Sequence, residues 1–230
     1  MRRIAVLTGA GISAESGIKT FRAADGLWEN HKIQDVASPG GFQRNRELVQ
    51  QFYNARRAQL HAVAPNAAHL ALRRLEAGYH VDVITQNIDD LHERAGSSNI
   101  LHLHGELRKA RSVKTGKAYP WTEDITPESR CPDGARLRPH VVWFGEAVPL
   151  IEPAARLVSQ ADTVIIIGTS MQVYPAAGLV GAARKAHAIY YVDPHPTINH
   201  ELANSQRLTV IEATAVNGVP PLVAQLLAAV

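Results

Sequence analysis

The chain has 230 residues, 46% of them hydrophobic and 20% charged, a composition that fits one large globular domain or one domain carrying a small insert. A net charge of +3 with basic residues no more clustered than the pairs Arg2-Arg3, Arg56-Arg57 and Arg73-Arg74 argues against a nucleic-acid binder, which would carry a basic stripe. The single cysteine, Cys131, excludes an intrachain disulfide framework and a metal site built from cysteines alone.

In chain order, the first apolar run, residues 4–8, reads as a buried strand and leads into Gly9-Ala10-Gly11-Ile12-Ser13-Ala14. Glycines at a strand end permit a tight turn and close approach of the backbone to a phosphate, with the N–H groups of the next helix facing the anion. The spacing G-x-G-x-x-A matches a dinucleotide fingerprint, although a ligand-free strand-to-helix turn would look the same. A hydride-transfer enzyme would show a second strand ending in Asp or Glu about 20 residues further on. That stretch, residues 25–31, is a polar loop here, and residues 20–63 hold a helix at 46–62 but no strand. Gly17 to Arg22 reads as a segment able to fold over a bound nucleotide.

A helix is predicted at 67–77 and a strand at 81–85, followed by Gln86-Asn87-Ile88-Asp89. Polar side chains at a strand's carboxyl end lie where open α/β folds bind ligands, and amides suit ribose hydroxyls. Helix capping accounts for Asn87 or Asp89 but not for all three. The strand at 100–103 carries His102 and, two residues on, His104, so both are expected to point the same way. Histidine suits proton transfer near neutral pH; a packed pair, or a metal site with His92 or Cys131, is the other reading. Residues 105–139 are polar and lack periodicity, too long for an ordinary loop. A helix at 151–159 precedes a strand at 163–167 that ends in Gly168-Thr169-Ser170, either a third piece of one site or a simple turn. A helix at 176–186, a strand at 188–192 and a helix at 220–227 complete the chain. Alternating buried strands and helices predict an α/β fold with a Rossmann-like parallel sheet, helices on both faces, and a smaller inserted subdomain. The body is expected at about 1–30, 64–104 and 140–230, and the small subdomain at about 31–63 and 105–139. The N-terminal apolar run is too short for a signal-peptide core or a membrane span, so a cytoplasmic protein without membrane or direct nucleic-acid partners is expected.

In combination and in order, these motifs resemble the sirtuin family. The first signature is Gly9-Ala10-Gly11-Ile12-Ser13, Gly17-Ile18 and Thr20-Phe21-Arg22; Gln86-Asn87-Ile88-Asp89, His104-Gly105 and Gly168-Thr169-Ser170 follow. Val141 to Glu146 is similar to the segment that pairs with substrate peptide. The resemblance implies a single catalytic domain that removes acyl groups from protein lysines and consumes NAD. It implies NAD contacts at Gly9 to Ser13, Glu15, Thr20, Phe21, Arg22, Trp28, Gln86 to Asp89, Gly168 to Ser170 and Asp193. It implies peptide contacts at Val142, Trp143, Phe144, Gly145 and Val173. His104 would be the general base, Asn87 and Asp89 would hold the ribose and nicotinamide end, and Phe21 would shield the reactive sugar. Acylated proteins are the implied partners, with the enzyme acting as a monomer.

The nearest likeness is to the bacterial CobB-like, class III branch, through Ala23-Ala24-Asp25-Gly26-Leu27-Trp28 and Tyr53-Asn54-Ala55-Arg56. There a Tyr-x-x-Arg pair recognises an acidic acyl group such as succinyl. Tyr53 and Arg56 share one helix face, and Arg offers a planar fork to a carboxylate. The chain departs from the family at two places. Four cysteines usually hold a structural zinc in the small domain, whereas here Ser112 stands near the expected first pair and only Cys131 remains. A zinc-free small domain held by packing around Tyr119 and Trp121 is therefore expected. Asp193 stands where an Asn commonly meets the adenosine ribose. An NAD-linked oxidoreductase, a non-catalytic NAD or ADP-ribose module, and an ADP-ribosyl transferase are the alternatives.

Overall fold

The computed structural model describes residues 1–19, 27–203 and 205–229, apart from the side chain of Leu27. Strand β1 (Arg3–Thr8) leads into a single turn of helix, α1 (Gly11–Ala14). A short hairpin, β2 (Leu27–Trp28) and β3 (His31–Lys32), precedes helices α2 (Ile33–Val36), α3 (Pro39–Arg44) and α4 (Arg46–Gln59). Next come α5 (Ala67–Leu75), β4 (His80–Thr85), α6 (Leu91–Arg94) and β5 (Ile100–His102). Strands β6 (Gly105–Ser112), β7 (Ala118–Pro120) and β8 (Leu137–Val141) form a separate antiparallel sheet in the order β7-β6-β8. The chain then returns to the body through α7 (Ile151–Gln160), β9 (Thr163–Ile167), a 3-10 helix (Ala176–Ala182), β10 (Ala188–Val192), β11 (Leu208–Ile211) and α8 (Ala215–Ala228).

The main sheet is parallel throughout, in the order β11-β10-β9-β1-β4-β5. Its central strands are apolar on both faces because both are covered. Ala5 and Leu7 of β1 face a core with α7 and the 3-10 helix; Ile4 and Val6 face one with α5 and α8. That alternation is the two-residue period of a strand. A third core (Val36, Phe42, Val49, Phe52, Tyr53, Leu107, Trp143) joins α2, α3 and α4 to the small sheet. The far end of that sheet closes on a minor cluster of Ala110, Ile125, Cys131 and Leu137, with Tyr119 and Trp121 packed against it.

Several predicted elements shift. The stretch read as a loop at 25–31 contains the β2–β3 hairpin, and the aperiodic 105–139 contains the antiparallel sheet. The helix placed at 46–62 stops at Gln59, that at 67–77 stops at Leu75, and that at 176–186 is a 3-10 helix ending at Ala182. The last helix begins at Ala215, five residues before Pro220. Proline favours a helix start, but here the Glu15 carboxylate accepts from the Val216 N–H (3.0 Å), an end-cap supplied from the other end of the chain. β11 was not anticipated.

Beneath the first glycine loop lie two buried imidazoles, His69 and His92, with ring centroids 4.9 Å apart. Nε2 of His69 and Nδ1 of His92 have no hydrogen-bond partner among the described residues. Burial lowers the pKa of His69 from 6.5 to about 4, and that of His92 well below 6.5. The unfolded chain therefore binds these protons first. The stability the neutral rings contribute is complete above about pH 6.5 and is lost as pH falls towards 4, amounting to roughly 3 kcal/mol for His69. The urea midpoint is expected to drop across that window, and His69→Gln, which can keep the cap of α5, should flatten the drop. An unchanged slope would contradict this origin.

Candidate functional site

In a parallel sheet of this order the crevice opens between β1 and β9, where successive connections leave in opposite directions. Four adjacent strands end there, β1, β4, β9 and β10, and the residues that follow them are Gly9, Gln86, Gly168 and Asp193. The two glycine loops touch backbone to backbone. The Gly11 N–H donates to Gly168 O (2.8 Å), a Cβ on Gly9 would lie 2.7 Å from Gly168 O, and one on Gly11 would lie 2.5 Å from Gly168 Cα. Only glycine permits that approach.

A cavity of about 840 Å³ runs from this junction to the small lobe. Gly9, Ala10, Gly11, Glu15, Trp28, Gln86, Asn87, Ile88, Asp89, His104, Gly168, Thr169, Ser170 and Asp193 all line it. So do Tyr53, Arg56, Val142, Trp143, Phe144, Gly145 and Val173. Ile12 and Ser13 do not. Ile12 is wholly in the core, and buried Ser13 sits behind the wall as a hydrogen-bond hub. Thr20, Phe21 and Arg22 lie outside the described residues, as do Ala23 to Gly26 of the class III motif.

The helix-terminus expectation needs correction. α1 is one turn long, and the amides of Gly9, Gly11, Ile12 and Ser13 are bonded to Ile167 O, Gly168 O, Gly9 O and Ala10 O. They do not face the cavity as a phosphate nest; Ala10 and the exposed Ser170 remain at that wall. Glu15 is likewise engaged, accepting from Thr214 Oγ1 and the Val216 N–H.

The strand-end residues form one network. Asn87 Nδ2 donates to Gly9 O (3.1 Å) and Ser13 Oγ (3.2 Å), and the Ser13 hydroxyl donates to Asp89 Oδ2 (3.0 Å). Asp89 also accepts from the Leu91 N–H. Burial raises the pKa of Asp89 despite these hydrogen bonds. Gln86 Nε2 donates to Thr169 Oγ1 (3.1 Å), linking β4 to β9. Asp193 accepts from the His195 N–H (2.8 Å), and burial raises its pKa.

The two histidines part company. β5 ends at His102, and each ring places Nδ1 on a main-chain carbonyl: His102 on Asn87 O (2.9 Å), His104 on Gln86 O (3.1 Å). A carbonyl only accepts, so Nδ1 carries the proton in both. Nε2 of His102 meets Glu93 Oε1 at 2.7 Å; burial opposes its charge, but the carboxylate outweighs burial and the pKa is raised. His104 lines the cavity, and burial lowers its pKa below 6.5, so its ring is neutral with Nε2 as the basic atom. Gly105 follows with φ +84°, and a Cβ there would collide with His140 O.

Among the described residues, Glu93, His102 and Glu106 have ligand-type atoms within 4.8 Å of one another. Cations already serve both carboxylates, His102 for Glu93 and Lys109 for Glu106 (2.6 Å). At the expected zinc position Cys131 Sγ lies 2.6 Å from Asp133 Oδ1 and 3.1 Å from Ala135 O, while Ser112 Oγ accepts from the Lys114 and Thr115 amides. One thiol cannot assemble a tetrahedral thiolate site.

At the small-lobe end, buried Tyr53 accepts from Trp143 Nε1–H (3.1 Å) and packs edge-on against Trp28. Arg56 donates to Phe52 O (2.9 Å) and lies over the Phe52 ring. The Val142 N–H donates to His104 O, tying the proposed peptide segment to the histidine loop. Cavity residues that sequence reasoning missed include Glu29, Gln59 and His195, while Lys19 and Glu146 fall inside the segments read as Gly17 to Arg22 and Val141 to Glu146. The first three sit in loops or on a polar helix face, with no local pattern to mark them.

The family model described as the Sir2 family matches residues 9–175. The chain belongs to the Sir2, or sirtuin, family. A protein of Helicobacter pylori (strain ATCC 700392 / 26695) named NAD-dependent protein deacylase is 54% identical over 228 residues, 99% of this chain and 98% of that protein. Among solved structures, a Sir2 homolog–NAD complex aligns with a TM-score of 0.86 at 39% identity, covering 99% of this chain and 90% of that one. A mutant Sir2 homologue in complex with 2′-O-acetyl-ADP-ribose aligns with a TM-score of 0.87 at 38% identity, covering 99% and 92%. The matched residues include Gly9, Gln86, His104 and Gly168, all of which line this cavity.

Gly105→Ala is expected to lower stability by about 2–4 kcal/mol, through positive-φ strain together with overpacking against β8. Urea denaturation checks this; an unchanged midpoint would contradict the close approach of the His104 loop to β8.

Proposed function

We propose that this Sir2-family chain removes acyl groups, acetyl and acidic acyl such as succinyl, from protein lysines with consumption of NAD. The observation that carries the proposal is neutral His104, held by Gln86 O, in the same cavity as the Gly9/Gly168 junction and the Asn87–Ser13–Asp89 network. NAD binds as a substrate along the strand ends, its adenosine side towards Asp193 and its nicotinamide ribose at Gln86, Asn87 and Asp89. The acyl-lysine enters between Phe144 and Val173, with its acyl group towards Tyr53 and Arg56. The acyl oxygen attacks the ribose carbon that bears nicotinamide, and nicotinamide departs with the bonding electron pair. Nε2 of His104 then takes a proton from a ribose hydroxyl, whose oxygen attacks the acyl carbon. Water completes the release of free lysine and O-acyl-ADP-ribose. An oxidoreductase reading lacks support, since the next described strand of the main sheet, β4, ends at Thr85 and is followed by Gln86 rather than by an acidic residue.

His104→Ala is expected to lower kcat by about 10²–10⁴-fold while NAD still binds. A variant with unimpaired turnover would remove His104 from this role. In the wild type, activity should fall on acidification with a midpoint below pH 6.5, because burial lowers the His104 pKa and only the neutral ring accepts a proton. A midpoint above 6.5 would contradict a desolvated base.

We further infer that the small subdomain, about 31–63 and 105–139, needs no zinc, that the enzyme works as a monomer, and that it is cytoplasmic, in keeping with its single unpaired thiol. Among the described residues no helix is long and apolar enough to cross a membrane. Elemental analysis should find no stoichiometric zinc, and a chelator should leave the urea midpoint unchanged. A lowered midpoint would show a structural metal.

A further inference from the structure

The β2–β3 hairpin turns through two residues, Glu29 and Asn30, with φ +48° and +65°. Two-residue hairpin loops of this hand favour Asn-Gly, because a side chain is disfavoured at positive φ. A glutamate held there is a local cost, and such costs concentrate at functional sites. The turn places the Glu29 carboxylate inside the cavity, 3.7 Å from Arg56 Nη2 and 3.2 Å from Lys19 Nζ. Glu29 and Arg56 are both mostly buried, whereas Lys19 is largely exposed.

The other cavity carboxylates are held differently. Glu15 caps α8, Asp89 accepts from Ser13 and Leu91, Glu146 is clasped by Arg111, Arg138 and the Trp143 amide, and Asp193 closes a turn on His195. Each of these takes a hydrogen bond from a main-chain amide. Among the described residues only side-chain cations meet Glu29, and its contact with Arg56 is longer than a hydrogen bond. Arg56 in turn has a buried Nε without a partner among the described residues. Its fork is under-coordinated at the point where an acyl group would arrive.

We propose that Glu29 is a specificity-determining residue, a resident carboxylate that stands beside Arg56 in place of an acyl carboxylate and sets the balance between neutral and acidic acyl groups. The inference rests on the assignment of Tyr53 and Arg56 to the acyl end. With a neutral acyl group, Glu29 compensates the half-buried guanidinium, which would otherwise be an isolated charge. An acidic acyl group brings a second carboxylate to the same cation, and two like charges in one partly desolvated site repel. Glu29 then yields Arg56 and remains on Lys19, which already holds the same oxygen. The Lys19–Glu29–Arg56 chain thereby admits both substrate types without leaving a charge unpaired.

The test compares kcat and KM for acetyl-lysine and succinyl-lysine versions of one peptide across wild type, Glu29→Gln, Lys19→Gln and Arg56→Met, with urea midpoints recorded for each. Removing the resident charge should raise the succinyl-to-acetyl ratio of kcat/KM by roughly five- to tenfold, through KM for the succinyl peptide and less strongly at high salt. Lys19→Gln should lower the ratio, since a displaced Glu29 then has no second cation. A Glu29→Gln ratio that is unchanged or lower overturns the proposal. If Arg56→Met lowers the ratio while Glu29→Gln does not raise it, only the role of Glu29 falls. If Arg56→Met also leaves the ratio unchanged, the acyl-end assignment falls and the proposal with it.

Discussion

The contact on which the rest of the site depends is main chain against main chain, where the Gly9–Gly11 loop meets Gly168. Parallel strands β1 and β9 are neighbours whose connections depart to opposite faces, which opens a crevice at their carboxyl ends. With any side chain at these glycines, the loops would move apart and the wall would lose its shape. The remaining groups are hung from this junction. Asn87 reaches Gly9 O, Gln86 reaches Thr169, and Asn87 and Asp89 share Ser13. Each bond ties a side chain from one strand end to another, so the network is ordered before any ligand arrives, which reduces the ordering cost at binding.

His102 and His104 illustrate how environment, rather than residue type, assigns chemistry. Both anchor Nδ1 to neighbouring carbonyls of one loop. A carboxylate at Nε2 makes His102 a cation in an ion pair, whereas burial without such a partner keeps His104 neutral and basic. The charged ring thus braces the loop from behind, and the neutral one faces the cavity. Sequence spacing alone placed them together and could not separate these roles.

Much of the body was legible because its central strands are buried on both faces and read as continuous apolar runs, from Ile4 to Thr8 and again at Thr163–Ile167. Edge strand β11 escaped notice because four half-exposed residues carry little pattern. The small sheet escaped for a related reason, since its far end closes on only four buried side chains amid polar sequence. The start of α8 depends on Glu15, 201 residues before Val216, a contact no local window contains. The glycine, amide and histidine motifs of the site were legible as a set, since each sits at a strand end. Glu29 was not, because its meaning lies in its proximity to Arg56 of α4.

In the proposed function the sheet-end cleft positions a dinucleotide against a neutral imidazole, with the small subdomain presenting the acyl-lysine. The most direct test of that account is the product stoichiometry with NAD and an acetyl-lysine peptide, resolved by mass. The account predicts one free-lysine peptide, one nicotinamide and one O-acetyl-ADP-ribose per turnover, and no change in the peptide without NAD. Conversion of NAD to free ADP-ribose with the acetyl group still on the lysine would contradict it.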